Sequence, residues 1–168
     1  FVDHILEEEI NEEKLLNNGI ADAGCFSQLV FTEQSLNRDN REVSLAAECS
    51  AAFKDGDMPL HIEKTYLFRK NTLQLQYRLT SSSAKQQSFY LATELNLAFS
   101  DPEKLKIEAS EGDQGGMVLS FSDSGIKSRL TLSCHIPCVW KTQAMVIPSL
   151  TEAGCVEEYQ QQVVMLSW

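Results

Sequence analysis

Apolar and polar residues alternate with a period of two over most of the chain. In Leu73, Leu75, Tyr77 and Leu79 the apolar side chains are separated by Gln74, Gln76 and Arg78, the pattern of a strand with one face in a core and the other in water. Phe89, Leu91, Thr93, Leu95, Leu97 and Phe99 repeat it over a longer stretch, and Leu105, Ile107 and Ala109 alternate with Lys106 and Glu108. The same reading predicts strands at Phe26–Leu36, Glu42–Phe53, His61–Phe68, Met117–Phe121, Ile126–Ser133, Cys138–Ile147 and Val156–Leu166. Between them fall turn-forming groups such as Asp55-Gly56-Asp57, Lys70-Asn71, Asp101-Pro102, Gly115-Gly116, Asp123-Ser124-Gly125 and Ala153-Gly154. About ten strands with short polar connections predict an all-β fold, a large antiparallel β-sandwich.

The opening departs from this pattern. From Asp3 to Asn18 the apolar positions Val2, Ile5, Leu6 and Ile10 fall at helical spacings, Asp3 can cap the amino end, the following glutamates suit the positive end of a helix dipole, and Gly19 supplies a stop. A short N-terminal helix is predicted, a lead-in over residues 1–20 to a β-sandwich domain over 21–168. The numbering starts at Phe1 and not at Met, as expected for a piece of a longer protein. Its apolar positions Phe1, Val2, Ile5, Leu6 and Ile10 are the expected surface toward whatever precedes them.

Composition narrows the function classes. The chain has 168 residues, 43% of them hydrophobic, enough for one domain with its own core. With 14 basic and 24 acidic residues the net charge is −10, so nucleic acid and anionic membrane surfaces are repelled. No apolar stretch approaches the ~18 residues of a membrane helix. Five cysteines, Cys25, Cys49, Cys134, Cys138 and Cys155, are an odd number at scattered positions, which fits a reducing cytoplasm. Cys134 and Cys138 bracket His135, but no second Cys or His pair follows at zinc-ligand spacing, so no metal and no cofactor is expected.

Candidate chemistry is sparse. His4, His61 and His135 are the histidines; His4 lies on the acidic helix and is expected in water, while His61 or His135 with a glutamate such as Glu63 or Glu94 would be needed for acid–base work. Glu152, Glu157 and Glu158 lie close together, but Glu157 and Glu158 point to opposite faces of a strand and cannot jointly flank one glycosidic bond. The aromatics suggest more. Trp140 and Tyr159 stand among polar neighbours and can stack on sugar rings, while Glu157 and Gln161, with Glu152 joining the set, can bond hydroxyls.

Three stretches together resemble a known family. Phe1-Val2-Asp3-His4-Ile5-Leu6 is similar to the hydrophobic-Asp-His segment behind the catalytic barrel of family 57 glycoside hydrolases of the α-amylase and 4-α-glucanotransferase type. His61-Ile62-Glu63-Lys64-Thr65-Tyr66, Leu73-Gln74-Leu75-Gln76-Tyr77-Arg78-Leu79 and Thr93-Glu94-Leu95-Asn96-Leu97 resemble the carboxy-terminal domain of those enzymes. Ser149-Leu150-Thr151-Glu152-Ala153-Gly154, followed by Glu158-Tyr159-Gln160, looks like its closing signature. Cys155 and Val156 depart from that signature where an aromatic and an acid are expected, as does Gln161 where glycine is expected.

The resemblance implies a galactose-mutarotase-like supersandwich. It implies a non-catalytic accessory domain acting beside an N-terminal catalytic domain of the same polypeptide, with α-glucan as a candidate ligand. A free-standing carbohydrate-binding module, or a mutarotase-like sugar enzyme using His61 or His135 with a glutamate, is the alternative; superfold likeness by itself transfers no activity.

Overall fold

The computed structural model describes residues 1–11, 13, 22–24, 26–99, 102–112, 116–150 and 156–167, with 102, 145–150 and 156–162 described by their backbone. Eleven strands run through these residues in three antiparallel sheets. The chain divides into two compact units, Phe1–Ala21 with Tyr90–Trp168, and Asp22–Phe89.

The first unit is a sandwich of two sheets. One has the strand order β1 (Val2–Leu6), β6 (Tyr90–Ala98), β11 (Val156–Ser167), β10 (Val139–Leu150). The other is the meander β7 (Leu105–Glu111), β8 (Met117–Asp123), β9 (Ser128–Cys134). Alternation decides what faces inward: Leu95 of β6 and Val164 of β11 meet Met117, Leu119 and Phe121 of β8 in one buried cluster, and Phe121 stacks on Phe99 at 5.7 Å between ring centroids. The β11 run Val163-Val164-Met165 is buried on both faces, because Val163 and Met165 join Leu6, Ile10 and Ala92 in a second cluster.

The leading segment corrects the helix expected from Asp3 onward. Val2–Leu6 is a strand that pairs with β6 in the register Val2↔Glu94 to Leu6↔Tyr90, and Asp3, His4, Ile5 and Leu6 are all buried. Helical spacing misled here because adjacent apolar residues such as Ile5 and Leu6 are also what a strand needs when both its faces are covered, and Ile10 packs with Leu6 from beyond the strand's end. They belong to the core and offer no outward apolar surface. Phe1 alone of the five apolar positions is exposed, while Val2 is half-buried. Residues 7–11 are not helical either, and residues 12 and 14–18 of the expected helix lie outside the described residues.

The second unit holds a four-stranded meander, β2 (Thr32–Asn37), β3 (Glu42–Phe53), β4 (Gly56–Phe68), β5 (Leu73–Thr80). Phe53 pairs with Gly56 around a two-residue turn, and Gly56 takes φ 112°, a conformation open to glycine and strained for other residues. Ala47, Ala51, Met58, Leu60 and Ile62 fill the buried face. Lys64 continues the same face and is itself buried, its ammonium 4.3 Å from the Phe31 ring centroid and 5.7 Å from that of Tyr77.

The strand expected over Phe26–Leu36 is shorter than the pattern suggested. Asp22 accepts hydrogen bonds from the backbone N–H groups of Gly24 (3.2 Å) and Ser27 (3.1 Å), which coils Phe26–Gln28 into a single 3-10 turn and delays β2 to Thr32.

Candidate functional site

Trp140 enters at the start of β10, opposite Leu166 of β11. It is partly buried against the cluster that includes Leu119 and Phe121. Trp140 also lines an open concavity of about 380 Å³ together with Glu111, Gly116, Met117, Pro137 and Cys138. The wall is shaped by a close approach. A Cβ at Gly116 would run into the carbonyl of Cys134 and the backbone of His135, so glycine is what lets β8 lie against the turn after β9.

Register places the other expected contacts elsewhere. Gln161, Tyr159 and Glu157 occupy alternate positions of β11, opposite Met145, Ile147 and Ser149, whereas Trp140 stands opposite Leu166. Five strand positions separate Leu166 from Gln161, which is roughly 16 Å at the usual rise per residue. One sugar ring cannot span that distance. Glu152 lies outside the described residues, as do the side chains of Glu157, Tyr159 and Gln161.

The histidines separate as well. His61 is half-buried in β4, its Nδ1 3.7 Å from Oε1 of the exposed Glu48 across the β3–β4 pair. His135 lies in the turn between Cys134 and Cys138. His4 overturns its solvated reading. It is buried, with Nε2 3.3 Å from Glu94 Oε2, while Asn96 Nδ2 donates to Glu94 Oε1 at 2.8 Å. On the opposite face of the same strand pair Thr93 Oγ1 donates to Asp3 Oδ1 at 3.1 Å. The partners lie ninety residues apart, so no local pattern could join them. The contiguous run Val2-Asp3-His4-Ile5-Leu6, with two polar residues held between apolar ones, was the available signal.

The His4 hydrogen bond holds the Glu94 carboxyl below the usual carboxylate range, with the bond from Asn96 assisting and partial burial opposing. A depressed folded-state pKa means that this contribution to stability is present above the unfolded value of about 4.3 and is lost as pH falls through the folded value. Urea midpoints are therefore expected to drop on acidification below about pH 4.5, and Glu94→Gln to flatten that part of the profile. An unchanged profile in the variant would assign the acid sensitivity to other carboxylates.

Among the described residues no group of three or more His, Cys, Asp or Glu side chains is placed to hold a metal ion, and no helix is long and apolar enough to cross a membrane.

The sandwich and its open concavity define a class of β domain with a close structural counterpart. Over 99% of its length the chain superposes, with a TM-score of 0.75 and 18% identity, on part of a crystal structure of 4-alpha-glucanotransferase from Thermococcus litoralis, of which it covers 24%. At that identity the likeness is one of fold. The model of the alpha-amylase/4-alpha-glucanotransferase C-terminal family matches residues 1–168, and the chain belongs to that family. No curated protein sequence matches it.

Proposed function

We propose that this chain is a non-catalytic accessory domain of an enzyme acting on α-1,4-glucans, docking on a catalytic domain that precedes it in the same polypeptide. One observation carries the docking role. The outer end of the second unit's sheet stays apolar where an unpartnered sheet would turn polar: Leu36, Val43, Tyr66 and Leu75 form one row across all four strands. Phe68 and Leu73 pair in the next row on that face. Phe68 is 47% exposed, Leu73 42% and Leu36 50%, and the rings of Tyr66 and Phe68 stack at 6.5 Å. Such a contiguous patch suits a partner surface. Family membership supports a glucan-processing catalytic domain as that partner. The same reading puts the protein in the cytoplasm, where thiols such as Cys134 and Cys138 stay reduced.

The test compares the chain with its parent polypeptide. Phe68→Glu and Leu73→Glu should leave the unfolding free energy of the isolated chain within about 0.5 kcal/mol, since both are surface positions, and should lower the parent's activity. The isolated chain should leave maltoheptaose unchanged and bind maltooligosaccharides with dissociation constants of about a millimolar or weaker, because the Trp140 concavity is open and offers one stacking ring. Turnover by the isolated chain that survives repurification would overturn the accessory reading. Micromolar binding lost in Trp140→Ala would favour a carbohydrate-binding module.

A further inference from the structure

Strand β7 (Leu105–Glu111) leaves one edge of the three-stranded sheet open, since it pairs with β8 and, among the described residues, with no other strand. Two hydrogen bonds at the ends of that ladder show which of its residues face the edge. Ser124 N–H donates to the Lys104 carbonyl at 3.2 Å and Gly112 N–H to the Gly116 carbonyl at 2.9 Å, and both couples extend the register Leu105↔Asp123 to Glu111↔Met117. The even-numbered residues of β7 therefore turn their backbone groups to β8. Leu105, Ile107, Ala109 and Glu111 turn theirs to the open edge.

A strand edge that must stay single is commonly spoiled by a proline, a bulge or a charge pointing into the core. β7 has no proline and no register shift, and its inward residues Leu105 and Ile107 pack on the cluster around Phe121. Its opposite charges share the solvent face, where Lys106 Nζ lies 2.6 Å from Glu108 Oε1. None of the other outer strands, β1, β10, β9, β2 and β5, carries both signs on one face.

We propose that the β7 edge is a self-association surface, on which a second copy of this chain pairs its own β7 antiparallel about a two-fold axis at Ile107. Backbone geometry and charge choose the register together. Pairing through the outward groups sets odd-numbered residues against odd-numbered ones. Centred on Ile107, Leu105 meets Ala109 of the second copy, Ile107 meets Ile107, and Lys106 meets Glu108 on both sides of the axis. The Lys–Glu positions are then non-hydrogen-bonded pairs, where facing side chains stand closest, and the four charges alternate in sign. Centring on Lys106 or Glu108 would set like charges face to face, and centring on Ala109 would leave Lys106 opposite Gly112. Pairing ends where the 3-10 turn Pro102–Lys104 begins, which leaves Glu111 beyond it. Such an isologous contact closes at two copies. It is short and belongs with the small interfaces, so a dissociation constant on the order of 100 µM is expected.

Sedimentation equilibrium of the full chain from about 10 µM to about 1 mM should show a reversible monomer–dimer equilibrium. Ala109→Pro removes an outward N–H and no hydrogen bond of the β7–β8 ladder, so it should abolish the dimer and leave the circular dichroism spectrum unchanged. Lys106→Glu and Glu108→Lys, both at exposed positions, should each weaken self-association about tenfold, because two attractive cross-strand pairs become repulsive. An equimolar mixture of these two variants should recover the dimer, since each copy then offers the charges that the other opposes. The double exchange in one chain should recover it as well. A chain that stays monomeric throughout, a dimer that survives Ala109→Pro, or a mixture that associates no more tightly than either variant alone would each overturn the proposal. Species larger than a dimer would also overturn it, because they require contact between unlike surfaces.

Discussion

Phe121→Ala is expected to destabilise the first unit by about 3–5 kcal/mol, the usual cost of emptying a large aromatic site in a packed core. Phe121 is fully buried and stacks on Phe99, just beyond the end of β6. Its neighbours Leu95, Leu119 and Val164 come from three strands of two sheets, so the cavity left behind cannot close by a shift of one element. With a domain stability of about 5–15 kcal/mol, a loss of that size takes much of the margin. Chemical denaturation of the isolated chain measures it. A loss below about 1 kcal/mol would mean that the two sheets of this unit do not pack through β8.

The second large effect is expected at the opening strand. Ile5 is 0% exposed and paired with Leu91, so Ile5→Asp would bury a carboxylate with no partner and should leave the first unit unfolded or nearly so at neutral pH. Phe1→Glu is the control. Phe1 is 51% exposed, and a charge there should shift the unfolding free energy by no more than about 0.5 kcal/mol. Circular dichroism and denaturant midpoints for the two variants separate a strand from a surface helix, since a solvated helix would tolerate both changes similarly. Equal effects would place Val2–Leu6 outside the core.

Most strands were legible because their periodicity is local. Glu42–Phe53 matches residue for residue, bounded by the turn at Lys54-Asp55 and the glycine that follows, and Leu73–Thr80 is written out by its alternating glutamines and leucines. What local pattern could not carry was any feature that depends on a distant partner. β1 is a strand because β6 lies beside it and Leu6 clusters with Ala92, Val163 and Met165 from the neighbouring strands, none of which is visible within a window of a dozen residues. Trp140 stands out in the sequence as an aromatic among polar neighbours, whereas the concavity it lines depends on Gly116 and the turn after β9, which no local window joins to it. His4 was misread for the same reason as the strand that holds it.

The second unit, Asp22–Phe89, is an insertion between the first and second strands of the other. Its own strands pair strictly in chain order, so each hairpin can close as soon as it is made. The enclosing sheet follows the opposite logic. β1 waits for β6, and β6 and β10 are joined to each other only through β11, which is synthesised after both. During translation the inserted unit can therefore be finished while its host remains two unconnected fragments, each with an open strand edge exposed to association with other chains. The host sheet becomes a single object only when Val156–Ser167 threads between its neighbours.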